Sequence, residues 1–128
     1  MAFYSSLSVG KAIRHLLLQD KEVTSITKKI FPIAIDQVQM PYILYRRAGM
    51  VTAPTKSNAG TDTAIMEVVC CAANYTQSID LAERVRNALE YKRVSLQDIN
   101  IRRCILTDSE EGFEGDVFYQ RLTFNITV

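Results

Sequence analysis

Residues 61–91, TDTAIMEVVCCAANYTQSIDLAERVRNALEY, decide the fold, because the most apolar strand candidate in the chain here runs into the best-formed helix candidate. Residues 64–73, AIMEVVCCAA, are nearly unbroken in apolar character, which suits a strand covered on both faces better than one with a wet side. Asn74 and Tyr75 end that run. Thr76 or Ser78 is then placed to cap a helix by accepting from the free N–H groups of its first turn, and Asp80 puts a negative charge near the positive end of the dipole. The helix should reach about Tyr91. Ile79, Ala82, Val85 and Leu89 recur at spacings of three and four, forming one apolar stripe, with Glu83, Arg84, Arg86, Asn87 and Glu90 mostly off it. Such a stripe needs a sheet to cover.

On the N-terminal side, residues 5–19, SSLSVGKAIRHLLLQ, read as a helix capped by Ser6 or Ser8, with Val9, Ala12, Ile13, Leu16 and Leu17 on its core face. Asp20 and Lys21 break it, and EVTSIT makes a short second turn. IFPIAI, from Ile30, reads as an edge strand or an irregular extended piece, because Pro32 cannot donate to a ladder. Pro41 pushes Met40 into extended geometry and opens the strand YILYRRA. There Tyr42, Leu44 and Arg46 point one way and Ile43, Tyr45 and Arg47 the other. Residues 49–62, GMVTAPTKSNAGTD, are rich in turn formers and almost free of apolar periodicity. They read as a long loop or an extended hairpin tip, and loops of that length are usually either functional or disordered, which makes this one the first candidate for a contact surface.

On the C-terminal side, INIRRCILTD is a strand with Ile99, Ile101, Arg103 and Ile105 on one face and Arg102, Cys104 and Leu106 on the other. SEEGFEG reads as an acidic exposed connection. The last run, DVFYQRLTFNITV, alternates cleanly, with Phe118, Leu122, Phe124, Ile126 and Val128 sharing a side apart from Gln120. That is an antiparallel strand with one buried face, paired to its predecessor through the SEEGFEG hairpin. The expected architecture is a single α+β domain over residues 1–128, a mainly antiparallel (mixed) sheet with two principal helices packed on one face. Tyr42, Tyr45, Tyr119 and the two-sided apolar strand leave large side chains for the other face, which oligomerisation would cover.

With 15 Lys+Arg against 14 Asp+Glu the formal charge is +1, so nothing steers the chain globally toward nucleic acid or an anionic membrane. Neither a membrane span nor a signal peptide is visible, which gives an expectation of a cytosolic product. Cys70, Cys71 and Cys104 lack framework or metal-ligand spacing, and read as buried reduced thiols. Cys70 or Cys71 with the lone His15 would make a thiol and base pair. Neighbouring residues of a strand face opposite sides, however, and no orienting group is evident, so a small buried hydrophobe is the stronger reading. The doublets Arg46-Arg47 and Arg102-Arg103 more often cover apolar surface or pair with carboxylates than bind phosphate. No phosphate loop, nucleophile elbow or metalloprotease helix is present, and no cofactor is implied.

Taken together, VGKAIRHLLLQD with EVTSITKKIFPIAIDQ, MPYILYRRAG, and EVVCCAANYTQSIDLAERVRNAL joined to the C-terminal strands resemble the phage tail completion family, which includes the tail-to-head joining and tail terminator proteins of long-tailed bacteriophages. The resemblance implies a structural protein rather than an enzyme. Its implied form is a ring, typically a hexamer, at the head-proximal end of the tail tube, ending tube polymerisation and meeting the head-tail connector protein. The implied partners are further copies of the chain, the tail tube protein and the connector, with assembly in the host cytoplasm and a final place in the virion. Another neck component, such as a head completion or minor tail protein, is the alternative, and a small cysteine-dependent enzyme a more distant one. Closed rings need two unlike patches on each subunit. One expected patch is the loop at 49–62, with Arg46, Arg47, Met50, Val51, Thr55, Lys56 and Asn58. The other is SEEGFEG, with Phe113 as apolar anchor and Glu110, Glu111 or Glu114 meeting arginines such as Arg46, Arg47 or Arg86.

Overall fold

The structure, a computed structural model, describes residues 6–33, 38–53, 61–96 and 99–128. A single 3-10 turn, Ser6–Ser8, leads into α1 (Val9–Gln19) and α2 (Lys21–Thr24), followed by β1 (Ile30–Pro32), β2 (Tyr42–Ala53) and β3 (Thr61–Ala72). After α3 (Tyr75–Leu89) come the short β4 (Val94–Ser95) and β5 (Asn100–Ile101), then β6 (Arg103–Glu114) and β7 (Val117–Thr127). Five strands form one sheet in the order β1-β2-β3-β7-β6, while β4 and β5 pair separately. All neighbours in the large sheet are antiparallel except β1 with β2. This is the expected α+β class with a mixed, mainly antiparallel sheet.

β3 sits at the centre of that sheet, and its burial alternates. Ala64, Met66, Val68, Cys70 and Ala72 are sealed, whereas Ile65, Glu67 and Val69 are half-buried. The even-numbered residues face the helices, and with Ile43, Tyr45, Leu122, Phe124 and Ile126 they form the core against Val9, Ile13 and Leu17 of α1 and Leu81, Val85 and Leu89 of α3. Two-sided burial, expected from AIMEVVCCAA, is therefore corrected. The odd residues are shaded by the flanking strands β2 and β7, and only Cys71 among them is buried.

Several boundaries depart from the sequence expectations for local reasons. Asn74, not Thr76 or Ser78, caps α3, its Oδ1 accepting from Gln77 N at 2.8 Å. The helix consequently starts earlier, and Ser78, Leu81 and Ala88 join the buried face while Ile79 is only half-buried. Ser8 holds the cap position of α1 without a side-chain bond, and Asp20 ends α1 and caps α2 by accepting from Glu22 N and Val23 N. A break at Arg102 separates β5 from β6. Ile99, Ile101 and Cys104 are thereby all buried, which a continuous alternation would forbid.

The largest correction concerns SEEGFEG. Its residues 109–114 are not a connection but the second half of β6, in register with β7 to Glu114↔Val117. The turn is Gly115 and Asp116 alone, with φ of 58° and 64°. Two successive left-handed residues make the two-residue hairpin turn whose twist matches the strands it joins. β2 runs to Ala53 and β3 starts at Thr61, so half of residues 49–62 belong to the arms of a hairpin, as the extended-hairpin alternative expected, and 54–60 lie outside the described residues.

Candidate functional site

Because the helices cover one face, the sheet presents a second face, and Arg46, Val51, Glu110 and Glu114 of the two proposed interface groups lie on it. Four charged side chains cross it in a row. Arg46 of β2 donates to Glu67 of β3 through Nε at 3.2 Å and Nη2 at 3.3 Å. Glu67 also lies 3.8 Å from Arg121 of β7, which reaches Glu110 of β6 at 3.3 Å. The signs alternate, plus, minus, plus, minus, from one side of the sheet to the other. Around the row lie Leu44, Ile65 and Val69, and a hollow of about 240 Å³ is lined by Ile33, Leu44, Tyr45, Val69 and the three charges nearest β2.

Arg121 is fixed from several directions. Its guanidinium carbon stands 5.5 Å from the Tyr119 ring centroid, within cation–π range. Its Nε is buried without a hydrogen-bond partner, the 3.8 Å approach of Glu67 being an ion pair only. Tyr119 in turn lies over Gly112, its register partner, so closely that a Cβ there would stand 2.4 Å from the tyrosine oxygen. An aromatic ring covering a cross-strand glycine compensates for the side chain that glycine lacks.

The remaining predicted residues divide between the faces. Arg47 points to the helix side and donates to Leu7 O at 3.2 Å. Met50 pairs with Ala64 on that side, while Val51 pairs with Thr63 on the open side and is 59% exposed. Thr55, Lys56 and Asn58 lie outside the described residues. Glu111 faces the helix side, accepting from the Tyr75 hydroxyl at 2.9 and 3.0 Å and from Gln120 Nε2 at 3.1 Å. That bond holds the Tyr75 hydroxyl above its ordinary pKa. Phe113 is 58% exposed and stacks on Phe118 with ring centroids 4.7 Å apart. Glu114 is exposed at the hairpin tip with no partner among the described residues. Arg86, offered as a partner for the acidic segment, instead bonds Glu90 at 2.8 Å.

Glu67 and Arg121, which link Arg46 to Glu110, are not among the residues expected from sequence. A signal for Glu67 was present, a lone carboxylate in an otherwise apolar strand, since a charge so placed implies a partner. Arg121 had none beyond its place on the polar side of an alternating strand.

Cys70 and Cys104 are fully buried, and burial pushes both well above the ordinary thiol range, Cys104 to about 12 with the Glu90 charge adding to it. Burial also raises Cys71, against an opposing hydrogen bond from the Tyr42 hydroxyl. His15 lies on α1 beside Lys11 and Arg14. Among the described residues no three His, Cys, Asp or Glu side chains converge as metal ligands, and no helix is long and apolar enough to cross a membrane.

Comparison with known proteins gives this surface a setting. A chain in a structure titled "Virion of native gene transfer agent (GTA) particle" superposes with a TM-score of 0.82, covering 97% of this chain and 98% of that one at 14% identity. At that identity the likeness is one of fold. No curated protein matches. The family model described as "Tail completion protein gp17" matches residues 11–128. The chain therefore belongs to the tail completion protein gp17 family, structural proteins of the bacteriophage tail.

Proposed function

We propose that this chain forms a closed ring, typically a hexamer, at the head-proximal end of the tail tube, where it ends tube polymerisation and joins the tail to the head connector. The observation that carries this reading is a sheet face that no described element covers. Leu44, Ile65 and Val69 lie half-buried around a fixed charge row that one helical layer leaves open. A subunit built to associate has such a face, whereas an enzyme of this size needs convergent titratable groups in a cleft. The sealed thiols argue in the same direction. The role is then structural, exercised in the virion after assembly in the host cytoplasm, with the tube protein and connector as partners.

The test combines native mass across a concentration series with electron microscopy of tails assembled with and without the protein. The expected results are a ring of about six subunits, alone or on tail tubes, and tails of uncontrolled length in its absence. Tails of normal length that fail only to join heads would overturn the terminator role in favour of another neck component.

A further inference from the structure

The large sheet has two edges, and each is half closed. At the β6 edge, Tyr91 N donates to Cys104 O at 2.7 Å and Glu90 accepts from Leu106 N at 3.1 Å, so the end of α3 occupies the first part of the strand. No described backbone pairs with the outer edge of Asp108–Glu114. At the β2 edge, β1 pairs with residues 43–45, and Ile33 N adds a bond to Tyr45 O at 2.7 Å. No described strand lies beside Arg46–Thr52. Among the described residues, the free halves are therefore at diagonally opposite corners of the sheet. An unpaired strand edge is a ready template for another strand.

These corners also differ in charge. The β6 half carries Asp108, Glu110, Glu111 and Glu114, and the β2 half carries Arg46 and Arg47. More specifically, the open-face row starts with Arg46 at the β2 edge and ends with Glu110 at the β6 edge, their side chains 52% and 59% exposed. A second copy placed edge to edge, with the two free halves overlapping, sets the acidic half of β6 beside the basic half of β2, Glu114 of one copy opposite Arg46 of the next. Like edges brought together would instead oppose like charges.

We infer that the free half of β6 in one subunit pairs, antiparallel, with the free half of β2 in the next, so that the sheets of the ring join into one. The proposal rests on the ring reading above and adds its mode of contact. Direction agrees, because β6 runs opposite to β2 within the sheet, and copies related by rotation keep that relation. The offset agrees as well. Glu111, at the middle of the free β6 half, lies level with Ile43, about six paired positions from Met50, the helix-side residue near the middle of the free β2 half, once the bulge before Gly49 is allowed for. That is about 20 Å along the strand against about 19 Å across four strands. The ratio implies strands tilted about 45° to the ring axis, at the upper end of the range of closed barrels. Two unlike edges on one subunit are also what a head-to-tail ring requires.

The test uses single-cysteine additions, Arg46→Cys and Glu114→Cys, in separate chains joined by a short bifunctional thiol reagent. A cross-linked dimer is expected from the mixture and from neither variant alone, and the double variant should give a ladder ending at the ring. Because Arg46→Cys touches the charge row, amide hydrogen exchange on the unaltered chain supplies an independent measurement. Residues 46–52 and 109–114 should exchange at least tenfold more slowly in the ring than in the dissociated subunit. Rings that form without the mixed cross-link and without that protection would overturn edge pairing while leaving the ring intact. A chain that stays monomeric even with tail tubes present would overturn both.

Discussion

Tyr91, just past the end of α3, adopts a φ of 64° with its ring 73% exposed. Its backbone is held there because its N–H donates to Cys104 O. A left-handed conformation costs a residue with a Cβ about 1–2 kcal/mol, and glycine is the usual occupant of such helix ends. Tyr91→Gly should therefore stabilise the protein by about 0.5–1 kcal/mol, part of the gain being lost to the greater freedom of glycine in the unfolded chain. An unchanged or lower urea midpoint would contradict this. The thiols give a second expectation. With Cys70 and Cys104 fully buried and all three thiols raised by burial, native protein should react with an aromatic disulfide reagent only as fast as it opens, and all three should react at once in denaturant. Rapid labelling of one thiol in native protein would revive the cysteine enzyme. Free thiols inside an apolar run were legible as buried from sequence alone. The strain at Tyr91 was not, because it arises from a bond to a strand thirteen residues away.

At the scale of elements, Glu90 ties α3 to β6. Its carboxylate accepts from Arg86 Nε at 2.8 Å and from Leu106 N at 3.1 Å, and the first of these, helped by the second, holds its pKa below the usual 4.5 against the effect of burial. A depressed carboxylate contributes stability that is complete above its unfolded value and lost as the pH falls through the folded one. Glu90→Ala should cost about 1–3 kcal/mol at neutral pH, since it strands the Leu106 amide. Below about pH 4.5 the difference from the parent should shrink. A gap independent of pH would mean that packing, not charge, carries the contact. Phe113 belongs to the β6–β7 hairpin, where it stacks on Phe118 while remaining over half exposed. As an interface anchor, Phe113→Ala should weaken assembly at least tenfold while leaving monomer helix content unchanged by circular dichroism. Equal ring formation would reduce it to a hairpin contact. The hairpin itself shows how one dipeptide misleads or informs. Gly112 and Gly115 both sit in SEEGFEG, and the density of polar residues suggested a loop. Gly115-Asp116 was the informative pair, because both must take positive φ in a two-residue turn. The strand is acidic because it is an edge, and edges are commonly charged.

For the whole molecule, the β2–β3 hairpin offers a clean manipulation. Deleting residues 52–60 would leave Val51 opposite Thr63, joined by Thr61 and Asp62, a loop length that antiparallel strands readily accept. The protein should stay folded and, if the hairpin reaches a neighbour or the tail tube, should no longer join heads to tails. Unimpaired joining would remove the hairpin from the assembly surface. The α+β class, the antiparallel C-terminal pair and the faces of α1 and β7 were determined by the sequence itself, because burial stamps a period of 3.6 or 2 onto the residues that face the core. The family, too, was legible in stretches spread along the chain. What only the tertiary structure decided was which residues meet across strands. Arg46, Glu67, Arg121 and Glu110 come from four strands, and their row depends on strand order, register and two bulges, none of which leaves a local mark. The same holds for the half-closed edges, since α3 and β1 cover them by long-range contacts that no run of consecutive residues encodes.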